Sequence, residues 1–114
     1  MSRISDNLYR MWKATFEEIM DNEGIMRMEL AKECDVSRQS VYNWLNQGWI
    51  TGIQFLASYS AMKILLLRRM KSGEIKNRES VSSLLELNDY YLQHGLRDMN
   101  KGQNEEVLLN GKLE

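Results

Sequence analysis

No proline occurs anywhere in the 114 residues. Proline is the residue that breaks helix interiors, so a helical run in this chain stops only where glycine, a capping residue or a change of pattern stops it. The apolar residues repeat at intervals of three and four and do not alternate, which is the signature of amphipathic helices. An all-α fold of about five helices is expected, compact, with a C-terminal helix and a frayed tail.

Ser5 and Asp6 can cap a first helix. Along it Leu8, Met11, Trp12, Thr15, Phe16, Ile19 and Met20 share one face, and Asn22 and Gly24 supply a stop. A short second helix is expected over 27–34, with Met28, Leu30, Ala31 and Cys34 apolar. Asp35 falls in a turn, and Ser37 caps a third helix over 38–47, ended by Gly48. Thr51 can cap a fourth helix reaching Lys71. Its apolar residues spread over a wide arc, the pattern of a helix central to a core or buried against a second chain. A fifth helix begins at Asn77 or Ser80, with Val81, Leu84, Leu85, Asn88, Tyr91 and Leu92 on one stripe, which either closes the core or pairs with a second copy, Asn88 then fixing the register. Leu96 and Met99 extend it past a weak point at Gly95. The expected organisation is a core unit over 1–78, a C-terminal helix over 79–100 for packing or dimerisation, and a flexible tail over 101–114.

Composition narrows the chemistry. The single cysteine, Cys34, cannot form an intrachain disulfide, and with one histidine, His94, no metal site can be built around it. Free cysteine behaves as a small hydrophobe, which is the expected role of Cys34. No phosphate-cradling glycine loop, paired-carboxylate site or serine triad is supported by spacing. No enzyme activity and no cofactor are therefore expected. The opening residues do not read as a secretory leader. The most apolar run, residues 64–67, is far too short to cross a bilayer. The expected setting is reducing and cytoplasmic, at the nucleoid, with no membrane partner.

The net charge of −1 does not suggest a polyanion binder. Its distribution does. Residues 51–78 hold six basic and one acidic residue, a net +5, whereas residues 79–114 carry a net −4. Local field governs binding to a polyanion more than total charge does.

Residues 28–48 read MELAKECDVSRQSVYNWLNQG. The pattern LA-x-x-x-x-VS-x-x-x-V-x-x-WL within this segment resembles the helix-turn-helix superfamily of phage repressors, Cro-like proteins and related bacterial regulators. The resemblance spans this segment alone. It implies that Leu30 and Ala31 face inward, with the small Ala31 allowing the next helix to cross closely. Cys34 and Val36 fill the space beneath the turn, and Val41, Trp44 and Leu45 form the seam of the second helix. Asp35 stands where that superfamily usually has glycine. The turn backbone there is left-handed, and aspartate tolerates that conformation better than most residues.

The side chains left outside define the expected chemistry. The recognition helix of such a unit enters the major groove. Arg38 suits guanine, Gln39 suits adenine, and Ser40, Asn43 or Asn46 can meet several base edges. Tyr42 can reach a phosphate or pack on a thymine methyl. Free N–H groups near Ser37 can hold a phosphate. Arg27 and Lys32 are further phosphate candidates, as are Arg68, Arg69 and Lys71 beyond the unit, which would add affinity without sequence information. The basic group also reads as a solvated helix end, favoured there by the helix dipole.

The expected function is sequence-specific binding of double-stranded DNA by a bacterial or phage transcriptional regulator, working as a homodimer through the fourth and fifth helices. Two alternatives use the same features. A helical module could bind a protein partner, such as a repressor or host factor, through its Met-rich or acidic surfaces. A DNA-packaging or recombination accessory protein could carry the motif in a larger assembly.

Overall fold

Five α-helices follow one another in the computed structural model, which describes residues 2–73 and 78–95. Helix α1 (Asp6–Glu23) starts where the Ser5 hydroxyl accepts the Leu8 N–H at 3.1 Å. It ends at Gly24, whose φ of 66° is left-handed. Helix α2 (Arg27–Cys34) ends at Asp35, which takes the left-handed conformation at φ 60°. Helix α3 (Arg38–Asn46) is capped by the Ser37 hydroxyl, which accepts from the Ser40 N–H at 3.1 Å. Helix α4 (Gly52–Lys71) opens with a reciprocal cap: Thr51 Oγ1 accepts the Gln54 N–H at 3.1 Å, and Gln54 Oε1 accepts the Thr51 N–H at 3.0 Å. Helix α5 (Arg78–Tyr90) widens into a π-helical turn at Tyr91–Gly95. Among the described residues there is no strand, only an isolated bridge between Arg3 and Thr51.

The bridge belongs to a strap. Residues 2–4 lie across the α3–α4 connection, with the Ile4 N–H donating to Ile50 O at 3.0 Å and the Gly52 N–H to Ser2 O at 3.1 Å. The Arg3 guanidinium sits 4.2 Å from the centroid of the Trp49 ring. The strap buries Ile4 and Ile50 and closes the core where α3 hands over to α4.

One hydrophobic cluster runs from Ile4 to Tyr91 and draws on all five helices. Trp12 lies within it, its ring tilted against Tyr9 and Phe16 at centroid distances of 5.6 and 5.0 Å. Its indole N–H donates to Ser58 Oγ at 2.9 Å, and Ser58 donates in turn to Phe55 O at 3.0 Å. A fully buried hydroxyl is thereby satisfied on both sides, as burial of a polar group requires. Helix α5 is held to this cluster twice. Tyr91 stacks on Phe55 at 4.9 Å, and Ser80 Oγ donates to the buried Glu23 carboxylate at 2.8 Å.

The structure decides which apolar residues lie inside. The inner stripe of α5 consists of Ser80, Leu84, Leu87 and Tyr91. Leu85 and Leu92 are exposed, and Val81 and Asn88 are only partly covered. Leu84 and Tyr91 of the expected stripe thus face the core, together with Ser80 and Leu87, which that stripe did not include; the Glu23–Ser80 hydrogen bond and the Phe55–Tyr91 stack hold this side of the helix inward. Helix α4 buries one part of its wide apolar arc and leaves the other uncovered. Phe55, Ser58, Ala61, Met62, Leu65 and Leu66 face the core, while Ile53, Leu56, Ile64, Leu67 and Met70 are exposed. Met28 is exposed at the start of α2 and does not contribute to the core. Asn77, Leu96, Met99 and the tail over 101–114 lie outside the described residues.

Candidate nucleic-acid interface

Helices α2 and α3 are joined by residues 35–37. The turn works because Asp35 accepts a left-handed backbone and the Val36 N–H returns to Ala31 O at 3.0 Å. Leu30 and Ala31 of α2 and Val41, Trp44 and Leu45 of α3 are buried together, while Cys34 and Val36 pack against them half-buried. Burial pushes the Cys34 thiol up to about 11, with the Glu33 carboxylate adding to the rise. A thiol so disfavoured as thiolate is a packing group and a poor nucleophile.

The far end of α3 is pinned from α1. The Tyr9 hydroxyl donates to Trp44 O at 2.7 Å and accepts the Gly48 N–H at 3.3 Å. Lys13 Nζ donates to Leu45 O at 2.6 Å while also pairing with Glu17 at 2.9 Å. A cation on the last carbonyls of a helix is favoured by its dipole. Neither contact is visible in the local sequence, because each joins residues more than thirty positions apart.

With Val41, Trp44 and Leu45 fixed inward, the helical period places Gln39, Tyr42, Asn43 and Asn46 on the opposite face, flanked by Arg38 and Ser40. All six are exposed except Ser40, which is partly covered. Gln39 Nε2 donates to Asn43 Oδ1 at 3.0 Å, and Asn46 Nδ2 donates to Tyr42 O at 2.7 Å. Ser37 and Ser40 share a hydrogen bond between hydroxyls at 3.0 Å. These local bonds pre-order the polar face without burying it.

The start of α2 completes that face. Met26, Arg27 and Met28 line one open groove with Arg38, Gln39 and Tyr42. The Arg27 guanidinium lies over the Tyr42 ring, 5.7 Å from its centroid. The structure thus brings Arg27, expected as a phosphate contact, together with three of the expected base-reading residues. It adds Met26 and Met28, which were not among the expected contact residues. An eight-residue helix offers too few turns for its apolar spacing to separate inside from outside.

The other expected phosphate residues behave differently. Lys32 and Lys71 are exposed, and neither has a carboxylate partner among the described residues. Arg68 pairs with Glu33 at 2.7 Å and Arg69 with Glu29 at 3.3 Å, so these two arginines tie α4 to α2. Among the described residues no group of three His, Cys, Asp or Glu side chains could hold a metal ion, and no helix is long and apolar enough to cross a membrane.

Fold and surface define an all-helical protein in which α3 buries one face in a helical core and presents a polar face to solvent. No family model matches the chain, and no curated protein or solved structure matches it either.

Proposed function

We propose that this protein is a sequence-specific double-stranded DNA-binding regulator of transcription, of bacterial or phage kind, that reads the major groove with α3. The observation that carries the reading is the division of α3. One face is locked into the core by Val41, Trp44 and Leu45, and the other offers Gln39, Tyr42, Asn43 and Asn46 beside the exposed cations Arg38 and Arg27. Guanidinium, amide and phenol are the groups that match base edges and phosphates. An α-helix with its side chains is about 10–12 Å across, which a major groove about 12 Å wide admits. Rigid placement matters because base readout tolerates little error in position. The exposed apolar residues of α4 and α5 support action as a homodimer, the arrangement that matches two half-sites about one helical turn apart.

Selection of bound duplexes from a random pool, followed by mobility shift at two salt concentrations, tests the proposal. The expected result is one enriched site whose affinity falls with salt by about 0.9 log unit per phosphate contact per log unit of salt. Failure of the folded protein to enrich any duplex overturns it.

The exposed Met26 and Met28 at the mouth of the same groove favour a second reading, a module that binds a protein partner. Methionine suits adaptable protein surfaces. An interaction of that kind would show a much shallower salt dependence.

A further inference from the structure

Helix α4 carries a face that the rest of the described chain leaves uncovered. Ile53 is 61% exposed, Leu56 43%, Ile64 39% and Leu67 51%. With 3.6 residues per turn these four and Ser60 fall within roughly 80° of one another on the helix wheel. They lie opposite the buried set of Ser58, Met62 and Leu65. Four large aliphatic side chains on one stripe are unusual for a surface that meets only water.

The stripe is symmetric about Ser60. Leu56 and Ile64 stand four residues to either side of it, and Ile53 and Leu67 stand seven. Two copies of α4 laid antiparallel across a two-fold axis at Ser60 bring each Leu56 against Ile64 and each Ile53 against Leu67. The small Ser60 side chains meet at the axis and let the helices approach closely. In an isologous interface residue i meets j and j meets i, which is the relation these positions satisfy.

Charge selects the same orientation. Helix α4 contains no acidic residue, and its four cations, Lys63, Arg68, Arg69 and Lys71, all lie in its second half. Arg69 turns to the opposite side, toward Glu29, but Lys71 falls on the stripe and Lys63 at its edge, and parallel pairing would set each of these two beside its own copy. Antiparallel pairing sets Lys63 against Ala57 and lays each basic half along the uncharged first half of the other helix. The two Arg68 residues are then about 24 Å apart along the axis.

We infer that α4 is the self-association surface of this protein, and that two copies pair antiparallel about Ser60 through Ile53, Leu56, Ile64 and Leu67. This assigns a register to the dimeric part of the reading above and is independent of DNA.

Light scattering on the full chain without DNA gives the first test. The expected mass is twice 13.4 kDa, and the double variant Leu56→Glu, Ile64→Glu falls to 13.4 kDa with its helical circular dichroism unchanged. Cross-linking gives the register. With Cys34 replaced by serine, Ser60→Cys forms a disulfide-linked dimer under mild oxidation, and Met70→Cys does not. A monomer at every concentration, a double variant that remains dimeric, or equal cross-linking at the two positions overturns the inference. None of these outcomes bears on duplex selection, so the two readings fail separately.

Discussion

The Tyr9 hydroxyl donates to the Trp44 carbonyl oxygen at 2.7 Å, joining the first turn of α1 to the last turn of α3 across 35 residues of sequence. The Tyr9 hydroxyl oxygen also accepts the Gly48 N–H, so one side chain satisfies two backbone groups at the end of α3. Tyr9→Phe keeps the packed ring and removes both bonds. Leaving buried partners unmatched is expected to cost about 1–2 kcal/mol, read as a lower midpoint in urea. Duplex affinity falls with it, because the reading helix loses its anchor. A variant with the wild-type midpoint would show that the hydroxyl does not support α3.

Arg38→Ala and Gln39→Ala act on the exposed face and leave the core untouched. Each is expected to change the melting temperature very little and to weaken binding to the selected site by roughly 1–3 kcal/mol, the worth of a good base contact. Mobility shift against the selected and a scrambled duplex separates loss of specificity from loss of affinity. Wild-type binding by both variants would place the reading surface elsewhere.

Trp44 is buried at the seam between α3 and the core. Trp44→Ala is expected to cost roughly 3–5 kcal/mol, as truncation of a buried aromatic does. For a chain of this size that is a large share of total stability. Chemical denaturation followed by circular dichroism measures it, and a loss below 1 kcal/mol would mean that the seam is not where the structure puts it.

Arg68 is held by Glu33 in an exposed pair. Glu33→Gln releases the guanidinium and removes a negative charge from α2. Exposed pairs contribute little, so stability is expected to change by less than about 1 kcal/mol. Duplex affinity rises at low salt, and the gain disappears at high salt as screening sets in. An affinity unchanged at low salt would remove Arg68 from the phosphate contacts.

Cys34 has its thiol raised from 9.0 to about 11 by burial and by Glu33. The folded thiol keeps its proton after the unfolded one has lost it. Its contribution to stability is therefore complete below pH 9 and is lost as pH climbs from 9 toward 11. Tyr59 and Tyr91 shift in the same direction through burial and add to the loss. Urea midpoints at pH 8 and pH 10.5 are expected to diverge more in the wild type than in Cys34→Ala. Equal divergence would assign the whole effect to the tyrosines.

Local chemistry in the sequence determined where the helices begin and end. Ser5, Ser37 and Thr51 are caps that act within three residues, and Asp35 and Gly24 adopt the left-handed backbone where the pattern breaks. The seam of Leu30, Ala31, Val41, Trp44 and Leu45 was legible for the same reason, since neighbouring helices joined by a short turn leave little choice of face. Tertiary structure alone decided what lies far apart in the chain. The apolar stripe of the fifth helix was too wide to show which edge faces inward until Glu23 and Phe55, packed against Ser80 and Tyr91, fixed it. The strap of residues 2–4 on Ile50 and Gly52 leaves no periodic trace, because backbone pairing does not depend on side-chain identity. Pairing of Arg68 and Arg69 with acids on α2 likewise follows from how α4 crosses α2. A helix period states which residues share a face, and only packing states which face is inside.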